Sequence, residues 1–117
     1  MRDGEFATHA LVDPQAKRVS MRSTDGSTSA VAALLPDGTG FLFADDLPTL
    51  PNDRTYQLWA LANGQKISAG VLGANPHVVA FRYAPSDLSG FAVTAEQAGG
   101  VSVTQNAPVV LGTLQQT

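Results

Sequence analysis

Short runs of alternating apolar and polar residues, each closed by a turn signal, make up most of this 117-residue sequence. In the first run, Val19 and Met21 alternate with Arg18, Ser20 and Arg22. A period of two places successive side chains on opposite faces, so this run predicts a strand whose basic residues face water. Turn signals recur at Asp25-Gly26, Pro36-Asp37-Gly38, Asn63-Gly64 and Gly99-Gly100. The pattern therefore favours strands joined by tight turns.

The same alternation predicts seven further strands, and no window of about 11 residues or more has the period of a helix. These strands are expected at Ser29–Leu35, Gly40–Ala44, Arg54–Ala62, Ile67–Val71, His77–Tyr83, Phe91–Glu96 and Pro108–Leu114. Short strands at such regular spacing form an antiparallel sandwich or a small barrel. We predict an all-β fold, an antiparallel β-sandwich of about seven to eight short strands with an Ig-like or similar Greek-key order.

The predicted strands place a single domain at residues 17–114, which is the usual size for one hydrophobic core. Residues 1–16 precede it, and their polar, non-alternating sequence predicts a loosely held segment. Glu5-Phe6 matches what a common cloning site encodes, so Met1–Phe6 are expected to derive from a vector. Residues 115–117 are expected to fray at the end of the chain.

Composition removes several classes of function. Seven Lys and Arg residues are scattered among ten acidic residues, for a net charge of −3, so nucleic acid is a poor partner. The absence of cysteine excludes disulfides, thiolate metal sites and a cysteine nucleophile. The longest nearly apolar stretch, Ala30–Leu35, is far shorter than the roughly 20 residues that span a bilayer, so we predict no direct membrane insertion by this chain.

Three groups of residues suggest a chemical role, and each is better explained as structure. Asp45-Asp46 ends a strand, but Ca²⁺ takes about six to eight oxygen ligands and no spaced carboxylates follow. Glu96 has no partner acid of the kind glycoside hydrolysis needs, so we expect it to fix the following Gly-Gly turn by hydrogen bonding. Tyr56 and Trp59 lie on opposite faces of one strand and cannot form one sugar-stacking platform. We therefore predict no catalytic, metal-binding or cofactor-binding residue and no enzyme activity.

Four separated blocks of sequence carry a resemblance to a known family. They are Leu47-Pro48-Thr49-Leu50-Pro51 leading into Thr55-Tyr56-Gln57-Leu58-Trp59, then Ser68-Ala69-Gly70-Val71, then Ala92-Val93-Thr94 with Glu96 and Ala98-Gly99-Gly100, and finally Pro108-Val109-Val110-Leu111-Gly112. In order and spacing they resemble the C-terminal extracytoplasmic domain of the anti-sigma-K factor family, over roughly residues 31–114. The family usually has proline where this chain has Gln97 and Val103, and both changes concern loop stiffness.

The resemblance implies a bacterial single-pass membrane regulator, of which this chain is the part on the extracytoplasmic side. In such proteins a cytoplasmic module, absent here, binds an extracytoplasmic-function (ECF) sigma factor. A site-1-type protease outside the membrane and a second protease within it then release that factor. Phe6–Ala16 would be the juxtamembrane stalk that is cut first, and the folded domain would be the sensor that decides when the cut occurs.

The residues matched to the family are expected to specify the fold rather than to bind a ligand or cofactor. They are Tyr56, Gln57, Leu58, Trp59, Gly70, Thr94, Glu96, Gly99 and Gly100. Two other functions stay open, a secreted small-ligand or carbohydrate-binding β-sandwich and a small hydrolase whose carboxylates pair only in space. A membrane helix immediately upstream would favour the regulator, whereas a cleavable signal peptide would favour the binding module.

Overall fold

A computed structural model describes residues 9–84 and 87–114, which form eight strands. In chain order these are β1 (Lys17–Arg22), β2 (Ser29–Leu34), β3 (Thr39–Phe43), β4 (Arg54–Ala62), β5 (Gln65–Gly73), β6 (Val78–Arg82), β7 (Leu88–Gln97) and β8 (Val110–Thr113). All eight predicted strands are present. The largest difference is in β7, which begins at Leu88 where the sequence pattern predicted Phe91.

All neighbouring strands run antiparallel in one sheet with the order β5-β4-β7-β8-β1-β2-β3-β6. The two outer strands, β5 and β6, also touch, so the sheet nearly closes into a barrel. The predicted all-β antiparallel fold is therefore confirmed. The two-sheet sandwich and the Ig-like order are not confirmed, because β8 pairs with β7 on one side and with β1 on the other. It thereby joins two halves of one sheet, β5-β4-β7 and β1-β2-β3-β6.

One hydrophobic core lies on the inner face of this rolled sheet. Val19 and Met21 of β1 are fully buried in it. Tyr56 and Leu58 of β4 are also buried there, with exposed fractions of 1% or less. Each large side chain buried in this way contributes about 1.5–3 kcal/mol. The Tyr56 hydroxyl also donates to the Pro48 carbonyl oxygen at 2.5 Å, so the core holds the link that leads into β4.

Glycines let the backbones of β7, β8 and β1 come very close where the two halves join. A Cβ atom on Gly112 of β8 would lie 2.1 Å from the carbonyl oxygen of Ser20 in β1. A Cβ atom on Gly90 of β7 would lie 2.1 Å from the carbonyl oxygen of Gly112. Real Cβ atoms essentially never come so close to another heavy atom, so the join requires glycine at both positions.

A second, smaller cluster lies on the outside of β2 and β3. Ala33 and Phe41 point away from the core, and Ala10 from a helical turn at residues 9–12 packs against them with 1% exposure. Arg18 of β1 donates a hydrogen bond to the Leu11 carbonyl oxygen of the same turn. We call this cluster the apolar face.

The ends of the predicted domain remain expectations. Residues 9–16 belong to the segment that the sequence predicted as a stalk, and the structure shows them beginning with the turn that covers the apolar face. Met1–Phe6, predicted to derive from a vector, and residues 115–117, predicted to fray, lie outside the described residues.

Candidate functional site

The longest strand pair in the sheet, β4 with β7, carries polar side chains on its outer surface. Because side chains alternate along a strand, Gln57 and Trp59 of β4 point away from the core, as do Thr94 and Glu96 of β7. All four are nevertheless buried, with exposed fractions of 3% or less. We call these four side chains the polar face.

The polar face is covered by the link between β7 and β8, residues 98–109, which we call the strap. It starts in a turn in which Gly99 and Gly100 have φ angles of 93° and 81°, a backbone conformation that favours glycine. The Gly100 amide closes this turn on the Gln97 carbonyl oxygen at 3.0 Å. A Cβ atom on Gly100 would also lie 2.6 Å from Cγ2 of Val71 and 2.9 Å from Oε1 of Gln57. Glycine is therefore required for the strap to lie against β4 and β5.

Gln57 holds the beginning of the strap through both ends of its side-chain amide. Its Nε2 donates to the carbonyl oxygen of Val101 at 2.8 Å, and its Oε1 accepts from the amide of Val101 at 2.9 Å. Nε2 also donates to the hydroxyl of Ser68 in β5 at 2.7 Å. With 2% of its surface exposed, Gln57 satisfies the backbone of an irregular segment that has no strand partner of its own.

Glu96 holds the middle of the strap. Its Oε2 accepts from the hydroxyl of Thr104 at 2.5 Å, and its Oε1 accepts from Nδ2 of Asn106 at 2.8 Å. The guanidinium of Arg54 lies alongside and donates to the carbonyl oxygens of Glu96 and Ala95 at 3.0 Å and 3.1 Å. Both carboxylate oxygens are thus committed to the loop above them.

The pKa of Glu96 lies below its ordinary value as the outcome of opposing effects. Burial raises it, but hydrogen bonds from Thr104, Thr94 and Asn106, together with the charge of Arg54, favour the ionised carboxylate and outweigh burial. The side chain is therefore a carboxylate at neutral pH, which is the state that accepts two strap hydrogen bonds.

Trp59, the only tryptophan in the sequence, lies two residues beyond Gln57 on the same face of β4 and is fully buried. Its indole N–H donates to Oγ1 of Thr94 at 2.9 Å. The strap ends close by, where the Val109 amide donates to the carbonyl oxygen of Val93 at 2.7 Å. Among the described residues no buried side-chain nitrogen or oxygen lacks a hydrogen-bond partner, so the polar face is a fully satisfied network.

The structure separates the residues matched to the family into three places. Tyr56 and Leu58 lie in the core, whereas Gln57, Trp59, Thr94, Glu96, Gly99 and Gly100 meet at the polar face and the start of the strap. Gly70 lies apart, in the outer strand β5, with a φ of 141° beside an irregularity in the pairing with β4. Their roles as fold-specifying residues remain a prediction that this geometry supports.

The sequence did not predict the residues of the strap that bind Glu96. Thr104 and Asn106 lie in a segment without period or motif, so nothing in the sequence pairs them with Glu96. The expected role of Glu96 also changes: its side chain binds these two residues farther along the chain instead of the Gly-Gly turn, which is closed by backbone.

The remaining charged candidates lie elsewhere on the surface. Oδ1 of Asp45 accepts a hydrogen bond from Nδ1 of His77 at 2.8 Å, and both side chains are about 70% exposed. Asp46 instead accepts from the Ser29 amide at 2.8 Å. The described residues contain no group of three or more His, Asp or Glu side chains with the spacing of a metal site.

Comparison with protein families identifies the relatives of this chain. The family model described as "Anti-sigma-K factor rskA, C-terminal" matches residues 4–116. The chain belongs to the anti-sigma-K factor family. The resemblance found in the four sequence blocks is confirmed, and the matched part of the family is its C-terminal domain.

A curated relative is about twice as long as this chain. The chain is 28% identical over 112 residues to an uncharacterized protein in the phr 5′ region of Streptomyces griseus. The match covers 94% of this chain but only 47% of that protein, so the chain spans about half the length of this relative. No solved structure matches the chain. Within the described residues no helix has the length and apolar character needed to cross a bilayer.

Proposed function

We propose that this chain is the extracytoplasmic regulatory domain of a membrane-bound anti-sigma factor that controls an ECF sigma factor. Its place in the anti-sigma-K factor family, over residues 4–116, is the observation that carries the proposal. Sigma-factor binding belongs to a separate cytoplasmic module, and the domain acts by controlling proteolysis of the segment that precedes it.

The packing of residues 9–16 supports this control. A protease needs its substrate in an accessible, opened state, so proteolysis follows the population of that state when opening is fast. Ala10 is buried against Ala33 and Phe41, and Arg18 binds the Leu11 carbonyl oxygen, so the folded domain itself covers part of the proposed stalk. A signal that opens or unfolds the domain would shift this population toward the cleavable state.

The first experiment determines the size and location of the native gene product by immunoblot against this domain. The proposal predicts a membrane-fraction band much larger than 12.2 kDa, with the epitope digestible by protease added outside the cell. A soluble secreted band close to 12.2 kDa would instead contradict the proposal and favour a free small-ligand or carbohydrate-binding module.

The second experiment tests regulation with a reporter driven by the cognate sigma factor. Tyr56→Ala removes a core side chain and should raise reporter output by exposing the stalk, whereas Tyr56→Phe keeps the ring and should stay near wild type. Equal output from both variants, with Tyr56→Ala shown to be less stable, would separate domain stability from sigma-factor release and contradict the proposed mechanism.

A further inference from the structure

The strap and β8 are consecutive in the chain, and they have very different supports. The strap contains no regular strand, and its Val103 side chain is 75% exposed. β8 has four residues, pairs with β7 over residues 90–93, and pairs with β1 through Arg22 and Leu111. The join between the two halves of the sheet is therefore the shortest strand, tethered directly to an irregular loop.

From this arrangement we infer that the strap is a latch: releasing its bonds to Gln57 and Glu96 frees β8 and opens the sheet between β7 and β1 before the remaining strands unfold. This places a local opening transition at one defined seam of the fold. The inference concerns the fold alone and holds whether or not the proposed regulatory function does.

The sheet side chains that bind the latch are two, Gln57 and Glu96. Three bonds to backbone carbonyl oxygens add to them: Ala98 to Asp53, Asn106 to Ala95 and Val109 to Val93. Gln57 supplies two bonds to Val101, and Glu96 supplies one each to Thr104 and Asn106. Beyond the strap, Val110 is fully buried in the core. A strap that lifts away would pull on this side chain first, because Val110 is the residue that follows it.

The charges around Glu96 make the latch sensitive to acid. From β4 it faces the guanidinium of Arg54, and the strap above it, residues 98–109, contains no ionisable side chain. Protonation of Glu96 would place a hydrogen on one of its two oxygens, and that oxygen could no longer accept its strap hydrogen bond in the same way. The strap, residues 98–109, contains no acidic side chain that could accept the bond instead.

The direction of the pH effect follows from linkage. The closed latch favours ionised Glu96 and lowers its pKa, so the open state binds more protons over the same interval. The contribution of Glu96 to closure is complete above its ordinary pKa of about 4.3 and is lost as pH falls through the lowered value. The latch is therefore closed at neutral pH and loosens only under acid conditions.

Opening at this seam would reach the N-terminal segment as well. Pro14, Ala16 and Arg18 line one hollow together with Leu114, which follows β8. The chain enters the sheet at β1, so separation of β8 from β1 would remove a neighbour from the strand to which residues 9–16 are attached.

The test compares three variants of the 117-residue chain by segment-resolved hydrogen exchange. Thr104→Val removes one of the two strap-side partners of Glu96 without touching the core, and Glu96→Gln removes the ionisable group while keeping its size. Thr49→Val is the matched control, because it removes an exposed threonine hydroxyl that is bonded to Asn75 and not to the strap. Loss of a hydrogen bond to a charged group predicts roughly a tenfold rise in exchange for residues 98–114 and for β1 in Thr104→Val.

Two patterns of exchange would overturn the inference. If Thr104→Val raises exchange equally in β2, β3 and β6, the strap is not a separate opening unit. If the rise stays within residues 98–109 and leaves β8 and β1 at the level of Thr49→Val, the strap moves without opening the sheet.

Trp59 provides a second measurement, since it is the only tryptophan and is fully buried on the polar face, bonded to Thr94. Acrylamide quenching of its fluorescence should rise in wild type as pH falls through the pKa of Glu96, while far-UV circular dichroism stays native. Asp25, whose pKa is lowered to about 2 mainly by the Ser27 amide and the Ser23 hydroxyl, titrates in every variant. In Glu96→Gln the rise in quenching at the pKa of Glu96 should therefore be missing. If the same rise remains in that variant, the inference that acid loosens the latch through Glu96 is wrong.

Discussion

The two halves of the sheet share one core but cover their outer surfaces in opposite ways. On the β2–β3 side, the apolar face is covered by Ala10 through nondirectional contact with Ala33 and Phe41. On the β4–β7 side, the strap covers the polar face through directed hydrogen bonds that it donates to Gln57 and Glu96. Both covers are irregular or barely helical segments, but the apolar cover has one side-chain hydrogen bond to the sheet, from Arg18 to Leu11, whereas the strap has several.

This difference indicates what each cover can do. Apolar contact tolerates small sliding movements and weakens in proportion to the area lost. A buried hydrogen-bonded network resists small movements, but the loss of one partner leaves the other partner unsatisfied. The apolar cover should therefore weaken gradually, whereas the strap should be either closed or open.

The largest effect is expected where the two halves depend on the same residue. Tyr56→Ala should lower the free energy of unfolding by about 3–5 kcal/mol, because it removes a buried aromatic ring from the shared core. Tyr56→Phe, which loses only the bond to Pro48, should cost about 0.5–1.5 kcal/mol. Urea unfolding followed by circular dichroism measures both, and a small effect from Tyr56→Ala would show that the halves do not share a core energetically.

A smaller loss should follow when only the directed cover is broken. Gln57→Leu fills the same buried site with an apolar side chain of similar size. It leaves the amide and carbonyl of Val101 without partners, so we expect the free energy of unfolding to fall by about 2–3 kcal/mol. Ser68→Ala removes the third hydrogen bond of Gln57 and leaves its two bonds to the strap intact, so it should cost under about 1 kcal/mol. Thermal melts of the two variants measure both losses. Equal losses would mean that the bond of Gln57 to Ser68 in β5, and not its bonds to the strap, accounts for the loss of stability.

Removal of the nondirectional cover should matter less. A chain without residues 1–16 should still fold, with a loss of about 1–2 kcal/mol from the exposed apolar face. Chemical denaturation of residues 17–117 against the full chain measures the loss. Failure to fold would make residues 9–16 a structural part of the domain and would contradict their assignment as a stalk.

The smallest effect is expected for the contact between Asp45 and His77, which belongs to neither cover. Asp45→Asn weakens the contact with His77, but both side chains are mostly exposed to solvent. The melting temperature should therefore hardly change, in keeping with the roughly 0–1 kcal/mol typical of surface ion pairs. A large shift would mean that this pair supports the link between β3 and β4 in a way the contact itself does not show.

Local pattern was sufficient to predict the strands and their faces, because alternation is a property of neighbouring residues. The Asn63-Gly64 signal correctly predicted the β4–β5 hairpin, where both residues have the positive φ angles of 54° and 75° that such turns need. The position of β8 between β7 and β1 was beyond this method. It depends on pairing between Arg22 and Leu111, which are far apart in the chain.

The same limit applied to the candidate site. The matched motifs contained Gln57 and Glu96, and alternation placed Gln57 opposite Tyr56. Burial of both polar side chains depends on a loop that folds back over them, and Val101 reaches Gln57 across 44 residues of sequence. A loop without period gives no local signal for such a contact, so only the three-dimensional structure identifies it.

The two close glycines at the join imply an uneven map of mutational tolerance. Gly90 and Gly112 lie where any side chain would collide with a neighbouring backbone oxygen, although neither carries a functional group. In a saturation mutagenesis scan these two columns should reject every replacement, including alanine, while exposed Val103 accepts most. The positions least open to change in this domain would then be two that have no side chain at all.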